Sequence, residues 1–348
     1  MVLRQQVSAT LCLFALTVSA ALADAPRYTV TDLGASGKTS QAEALNNHGQ
    51  IVGWQDKESF LWENGRQQII SKQDHQGAYG INEEGIVVGI PNEYHGFFSG
   101  SVYIPTWAFV WNQGHMENLS GFSEAYRING QEQIAGQSGQ NAAIWDTKTG
   151  LTQTIGPLAE YPWGYSYGLN DLGEAVGIML RDMDDFPQHG RAFRYQGGAV
   201  KLLPVPALNS STAFSVNSVG AIAGAFRRTG SQWKATIWQP DDVMHELPSL
   251  PGYAGAIAHS INAAGETVGW TFLLDNADST GLTMGDPPPA TTHACLWHNG
   301  SIQDLNTEIA SDSGWILQEA KAINNKGWIV GGGTVHSEYH AFLLSPLP

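Results

Sequence analysis

The sequence predicts an all-β fold: a seven-bladed β-propeller with four antiparallel strands per blade, closed by an N-terminal strand that completes the last blade. Three observations predict it. One short pattern recurs seven times along the chain. Each copy holds four strand-sized pieces separated by turn chemistry. The two ends of the repeated region complement one another.

The pattern is Ala-x-x-Ile-Asn-x-x-Gly-x-ψ-x-Gly, with ψ usually Val or Ile. Its asparagines are Asn46, Asn82, Asn129, Asn170, Asn217, Asn262 and Asn324. Seven residues after each comes Gly53, Gly89, Gly136, Gly177, Gly224, Gly269 or Gly331. Four residues before each sits an alanine, or Ser166 in the fourth copy. Three residues after each sits a glycine, except Glu132 in the third. The piece ending in Ile-Asn reads as a short strand. Asn-x-x-Gly is turn chemistry, because asparagine bonds its own backbone and glycine takes positive φ. The run to the next glycine is a second strand. A small-x-x-aromatic element, as in Ala108 to Trp111 and Ala294 to Trp297, is a third. A short stretch such as Ile302-Gln-Asp-Leu305 is a fourth. Four strands in a repeat of about 40–50 residues make a propeller blade. The small residue of the first strand is expected at the crowded inner ring, and the tryptophan of the third in the wider gap between blades.

The last copy ends at Ala341-Phe-Leu-Leu344 without a fourth strand, whereas Tyr28-Thr-Val-Thr-Asp-Leu33 has the look of one. The N-terminus is therefore expected to complete blade seven and remove the free sheet edges. The alternatives are an open β-solenoid, which needs atypical capping repeats, or a ring of six or eight blades.

Residues 1–23 read as a secretory signal peptide: Arg4, an apolar run over 11–22, and Ala21-Leu-Ala23 before Asp24. The run is too short to span a bilayer, which takes about 20 residues. Residues 24–348 form a single propeller domain, and no later stretch is apolar enough to insert in a membrane. Cys295 is the one cysteine left after Cys12 departs, so no internal disulfide forms. The expected location is periplasmic or extracellular, and the closed ring is expected to be a monomer. A formal net charge of −15 excludes nucleic acid as a partner, because an acidic fold repels phosphate backbones.

The repeat also carries a resemblance. Ala-x-x-Ile-Asn-x-x-Gly-x-Ile-Val-Gly followed by His340-Ala341-Phe342, with partial versions at His293-Ala294-Cys295 and Arg191-Ala192-Phe193, resembles the bacterial extracellular HAF repeat family. The resemblance covers nearly the whole mature chain. It implies export and a repeat fold, and it implies no reaction and no catalytic residues.

The Asn-x-x-Gly turns are uniformly short, so one face of the ring is monotonous. The connections between second and third strands, and between blades, vary in length and emerge on the other face. Long loops on a rigid scaffold concentrate function, so the site is expected there, near the channel mouth. The loop over 91–107 holds Glu93, His95, Tyr103 and Trp107. Asp182, Asp184, Asp185 and His189 lie in the fourth copy, and Tyr161, Trp163 and Tyr165 in the crossing that precedes it. Carboxylates beside aromatics suit sugar chemistry. Rings stack on pyranoses, and paired carboxylates serve as acid and base or nucleophile. The catalytic candidates are thus Asp182, Asp184, Asp185, Glu93, His95 and His189. The ligand-stacking candidates are Tyr103, Trp107, Tyr161, Trp163 and Tyr165. Asp275 and Asp278 in Asp275-Asn-Ala-Asp278-Ser-Thr-Gly281 are calcium candidates, although that stretch lacks the alternating ligands and closing glutamate of an EF-hand. His336 and His340 have a His-x-x-x-His spacing, which converges on zinc only along a helix. No nucleophile elbow, phosphate loop or dinucleotide fingerprint is present, and no cofactor is expected. Three functions stay open: a binding module for a glycan, cell-surface or protein ligand, a polysaccharide hydrolase or lyase, and a purely structural envelope protein.

Overall fold

The computed structural model describes residues 25–71, 77–90, 107–182, 189–206, 210–228, 231–273 and 291–348. The signal-peptide segment lies outside them. Seven four-stranded antiparallel sheets form the ring, and the described residues hold no α-helix, only a 3-10 turn at Leu305–Thr307. The first strands of the seven blades are Ser40–Leu45, Gly77–Ile81, Glu124–Ile128, Trp163–Leu169, Ser210–Val216, Gly255–Ile261 and Trp315–Ile323. The N-terminal strand Tyr28–Asp32 pairs antiparallel with Glu338–Pro346, from Tyr28 opposite Pro346 to Asp32 opposite Phe342. Blade seven therefore draws its outermost strand from the start of the chain. Closure continues in the core, where Leu33, Ala42 and Phe60 pack with Ala322, Val330 and Leu343 across the junction of blades one and seven.

Each repeat residue has a job that the geometry makes plain. The Oδ1 of Asn217 accepts from the N–H of Val219 (3.2 Å) and of Ala221 (2.9 Å), which fixes its own turn. Its Nδ2 donates to the carbonyl of Asn262 in the next blade, at 2.9 Å. The other six asparagines do the same: Asn46 to Asn82, Asn82 to Asn129, Asn129 to Asn170, Asn170 to Asn217, Asn262 to Asn324, and Asn324 back to Asn46. Seven side chains thus close a hydrogen-bonded ring that stitches every blade to its neighbour. All seven are buried, so an unmade bond would leave a desolvated polar group. The turn glycines have φ between 74° and 87°, and Glu132 adopts the same left-handed backbone at φ 64°.

The glycine seven residues on serves a different end. Every first strand carries a β-bulge at the residue three before the asparagine, shown by the register shifts between Ala42 and Ala44 and their six counterparts. The bulge brings a first-strand carbonyl against the second strand, where a Cβ on Gly53, Gly89, Gly136, Gly177, Gly224, Gly269 or Gly331 would overlap it. Only glycine fits. The small residue beside the bulge, an alanine in six blades and Ser166 in the fourth, is fully buried, and the alanines pack between blades, as Ala78 does against Val52 and Leu61. The residue that faces the axis is the one after it. The third-strand tryptophans fill the gap between blades as expected. Trp238 is fully buried against Val176 and Leu203 of the preceding blade, and its Nε1 donates to the carbonyl of Pro204 at 2.8 Å.

Candidate functional site

The bulged residues form a second ring, three residues before the asparagines along the first strands. In blade order they are Glu43, Tyr79, Tyr126, Tyr167, Phe214, His259 and Lys321. A bulge leaves its extra residue unpaired and re-aims its side chain, here toward the axis. Five consecutive blades contribute rings in mutual contact. Centroids are 6.2 Å apart for Tyr79 and Tyr126, 5.0 Å for Tyr126 and Tyr167, 5.9 Å for Tyr167 and Phe214, and 5.1 Å for Phe214 and His259. Trp270 extends the arc, 5.6 Å from His259. Blades seven and one complete the circle with charge. Lys321 pairs with Glu319 at 2.9 Å and lies over the Trp270 ring at 4.6 Å. Glu319 also accepts from Gln41 at 2.9 Å, and Glu43 accepts from Trp54 Nε1 at 3.0 Å.

The electrostatics follow from burial. Removal from water pushes the Glu43 carboxyl above its ordinary value, with Lys321 and the Trp54 bond pulling the other way. Burial opposes the Lys321 charge, but Glu319 and Glu43 together hold the ammonium above its usual range. Burial, with Lys321 and Arg127, drives His259 well below the usual imidazole value, so the ring is neutral. A neutral His259 donates from Nδ1 to the Lys321 carbonyl at 2.7 Å, which leaves Nε2 as an acceptor. Burial lowers Arg127, whose guanidinium donates to the carbonyls of Tyr79 and Tyr126. Burial and the neighbouring Glu124 raise the Tyr126 hydroxyl well above the usual phenol value.

Of the residues singled out in the sequence, the blade-four group leads to this ring. Trp163 opens the first strand of blade four at the long-loop end and is half-buried. Tyr165, two residues on, is buried and stacks on Tyr167, with centroids 6.0 Å apart and planes within 5°. Trp163, Tyr165 and Tyr167 thus step from the loop end to the axis, packed with Tyr126, Ile178 and Leu180. Tyr161 has another role. It is buried between blades three and four beneath the Arg181 guanidinium, 5.4 Å from its ring. Trp107 is half-buried at the same end of blade two. Asp182 and His189 are exposed at the rim of blade four. Glu93, His95, Tyr103, Asp184, Asp185, Asp275 and Asp278 lie outside the described residues. His340 and His293 make structural pairs: His340 with Asp32 at 3.0 Å across the ring closure, and His293 with Asp304 at 2.7 Å. Cys295 is buried, and burial raises its thiol far above the usual range, which makes it inert.

The asparagine-turn face is less monotonous at its centre than the even turn lengths imply. A cavity of about 190 Å³ opens there, lined by Leu45, Asn47, Glu83, Ser218, Ile261 and Ile323 among others.

Solved structures share this architecture. The ring is similar to the extracellular domain assigned to a hybrid two component system from B. thetaiotaomicron. That match has a TM-score of 0.57 at 11% identity, over 91% of this chain and 39% of that one. This chain therefore spans about two-fifths of the length of that relative. It is also similar to a catalytically inactive virginiamycin B lyase from Staphylococcus aureus with Quinupristin, with a TM-score of 0.55 at 8% identity over 92% and 100% of the two chains. The β-propeller domain of the Trilobed protease from Pyrococcus furiosus matches with a TM-score of 0.52 at 11% identity, over 88% and 93%. No family model and no curated sequence matches. At these identities the likeness is one of fold.

Proposed function

We propose that this protein is an exported, non-enzymatic binding module that receives a glycan at the long-loop end of its ring. The single observation that carries the reading is the aromatic path from Trp163 through Tyr165 to the axial ring. The rest of the repeat is occupied in holding the blades together. The bulge position changes chemistry from blade to blade, and a position free to vary on a rigid scaffold is where recognition sits. Rings with hydrogen-bonding groups at their edges suit a ligand with apolar faces and hydroxyl rims. The leader-like residues 1–23 and the resemblance to the HAF repeat family support export.

A glycan array, run beside reducing-sugar and unsaturated-product assays on the purified mature protein, tests the reading. Binding without turnover is the expected result, weakened by Trp163→Ala. Turnover would contradict the non-enzymatic reading, and unchanged binding by Trp163→Ala would contradict the choice of end.

A further inference from the structure

The asparagine-turn face carries a second chain of bonds, one residue beyond the asparagines. The N–H of Ala263 donates to Asn325 Oδ1, and the N–H of Asn325 to Asn47 Oδ1, each at 3.0 Å. The N–H and Nδ2 of Asn47 both donate to the Glu83 carboxylate, Nδ2 at 2.6 Å. These bonds run from blade six through seven and one to blade two, and they fix the rim of the cavity of about 190 Å³. Its wall is aliphatic at Leu45, Ile261 and Ile323, and Glu83 is the one charged group among the described residues that line it. Glu83 is half-exposed, and its ionisable partner is the exposed His48 at 3.3 Å. Among the described residues no lysine or arginine pairs with it. An aliphatic wall beside one open carboxylate suits an aliphatic stem with a cationic tip, which is the chemistry of a lysine or arginine side chain.

Apolar surface adjoins the cavity. Ser218 lines it, and the next residue, Val219, is 61% exposed. Leu172 and Val243 are exposed as well. One buried guanidinium ties the three together. Arg194 donates to the carbonyl of Gly220, next to Val219, at 3.0 Å, and to Asp242 Oδ1, next to Val243, at 2.8 Å. It also donates to the carboxylate of Glu174, two residues after Leu172. Three large aliphatics thus stand on one rigid support across blades four and five. Side chains held this way lose little freedom on binding, and clustered apolar exposure marks an interaction surface. Asp171 and Asp241 are exposed beside them and add negative charge, whereas Arg194 and Lys201 are committed to Glu174 and Asp242.

We propose that this face docks a partner protein through a basic, apolar segment. A lysine or arginine side chain of the partner enters the axial cavity toward Glu83, and its apolar neighbours cover Val219, Leu172 and Val243. The site lies at the opposite end of the ring from the glycan reading and does not depend on it. A free amine would fill the cavity and leave the aliphatics bare. A second copy docking through the same face would set Glu83, Asp171 and Asp241 against acids of its own, in a chain of formal net charge −15, and an anionic membrane is repelled in the same way.

Selection of a random-peptide phage library on the immobilised mature protein tests this, with the Leu172→Ser, Val219→Ser double variant as counter-target. The enriched peptides should share a lysine or arginine beside aliphatic or aromatic residues. The leading synthetic peptide should bind about tenfold more weakly when its cationic residue is replaced by glutamine, and about tenfold more weakly to Glu83→Gln. The two losses should not add, because each removes the same ion pair. The double serine variant should weaken binding too, and thermal melts should show every variant folded. Absence of enriched peptides, enrichment of acidic or uncharged ones, or undiminished binding to folded Glu83→Gln would overturn the proposal. Competition by spermidine as strong as that by the peptide would assign the cavity to a free amine instead. A dimer in sedimentation that the double serine variant abolishes would assign the face to a second copy, and binding to anionic vesicles lost in that variant would assign it to a membrane; each would overturn the proposal.

Discussion

Asn217 illustrates how much one residue of the repeat carries. Its side chain makes two bonds within its own turn and one to the next blade, all out of water. Asn217→Ala removes all three and should destabilise the fold by about 2 kcal/mol, seen as a lower midpoint in a denaturant melt. Asn217→Asp keeps the acceptor but turns the donor of the bond between blades into a buried carboxylate oxygen facing the Asn262 carbonyl, so it should also destabilise. An Asp variant as stable as wild type would count against the stitch. The turn role of this asparagine was legible from Asn-x-x-Gly. The bond between blades was not, because it joins residues 45 apart that only the closed ring brings together. The axial residues were missed for a plainer reason: they occupy an x of the motif. Glu, Tyr, Tyr, Tyr, Phe, His and Lys at one position of an otherwise regular repeat was the available signal. His259 adds a pH effect. The folded ring holds it neutral well below its ordinary value of 6.5, so as pH falls past 6.5 the unfolded chain takes up a proton that the folded chain refuses. Its contribution is complete above that pH and lost below it, at most about 1.4 kcal/mol per unit. Glu43, raised by burial, acts with the opposite sign at lower pH. His259→Gln should flatten the slope of stability between pH 6.5 and 5, measured by denaturant melts across that range; an unchanged slope would contradict a neutral His259.

At the scale of the element, bulge and glycine are one device. The bulge turns one side chain per blade to the axis and drives a carbonyl toward the second strand, and the glycine makes room for it. Gly224→Ala places a Cβ on the Thr212 carbonyl and should cost about 1–3 kcal/mol, with thermal melting as the readout. A neutral effect would mean that the bulge can relax. The strand order and the turns were readable because alternation, Asn-x-x-Gly and the glycine at fixed spacing are local signals. The bulge was not, since one unpaired residue leaves no mark in a pattern that already holds two unconstrained positions. The same limit misplaced the small residue. Ala78 and its counterparts were expected at the inner ring, yet they pack between blades while their neighbours line the axis.

The whole molecule follows from closure. Seven copies and an N-terminal strand with the look of a fourth strand were enough to expect the ring, and the pairing of Tyr28–Asp32 with Glu338–Pro346 completes it. Trp163 and Tyr165, singled out from the sequence, lie on the strand that carries Tyr167, but the axial ring beyond them depends on seven blades meeting at one line. The central claim is that the repeat holds the ring while its variable position binds. Its most direct test is the affinity of one glycan that the protein binds for wild type, Tyr167→Leu and Leu172→Ser, each beside its thermal melt. Leu172 is 73% exposed on the opposite, asparagine-turn face. The account predicts that Tyr167→Leu loses binding while the fold still melts cooperatively, and that Leu172→Ser binds as wild type. Undiminished binding by a folded Tyr167→Leu, or loss on Leu172→Ser, would contradict it.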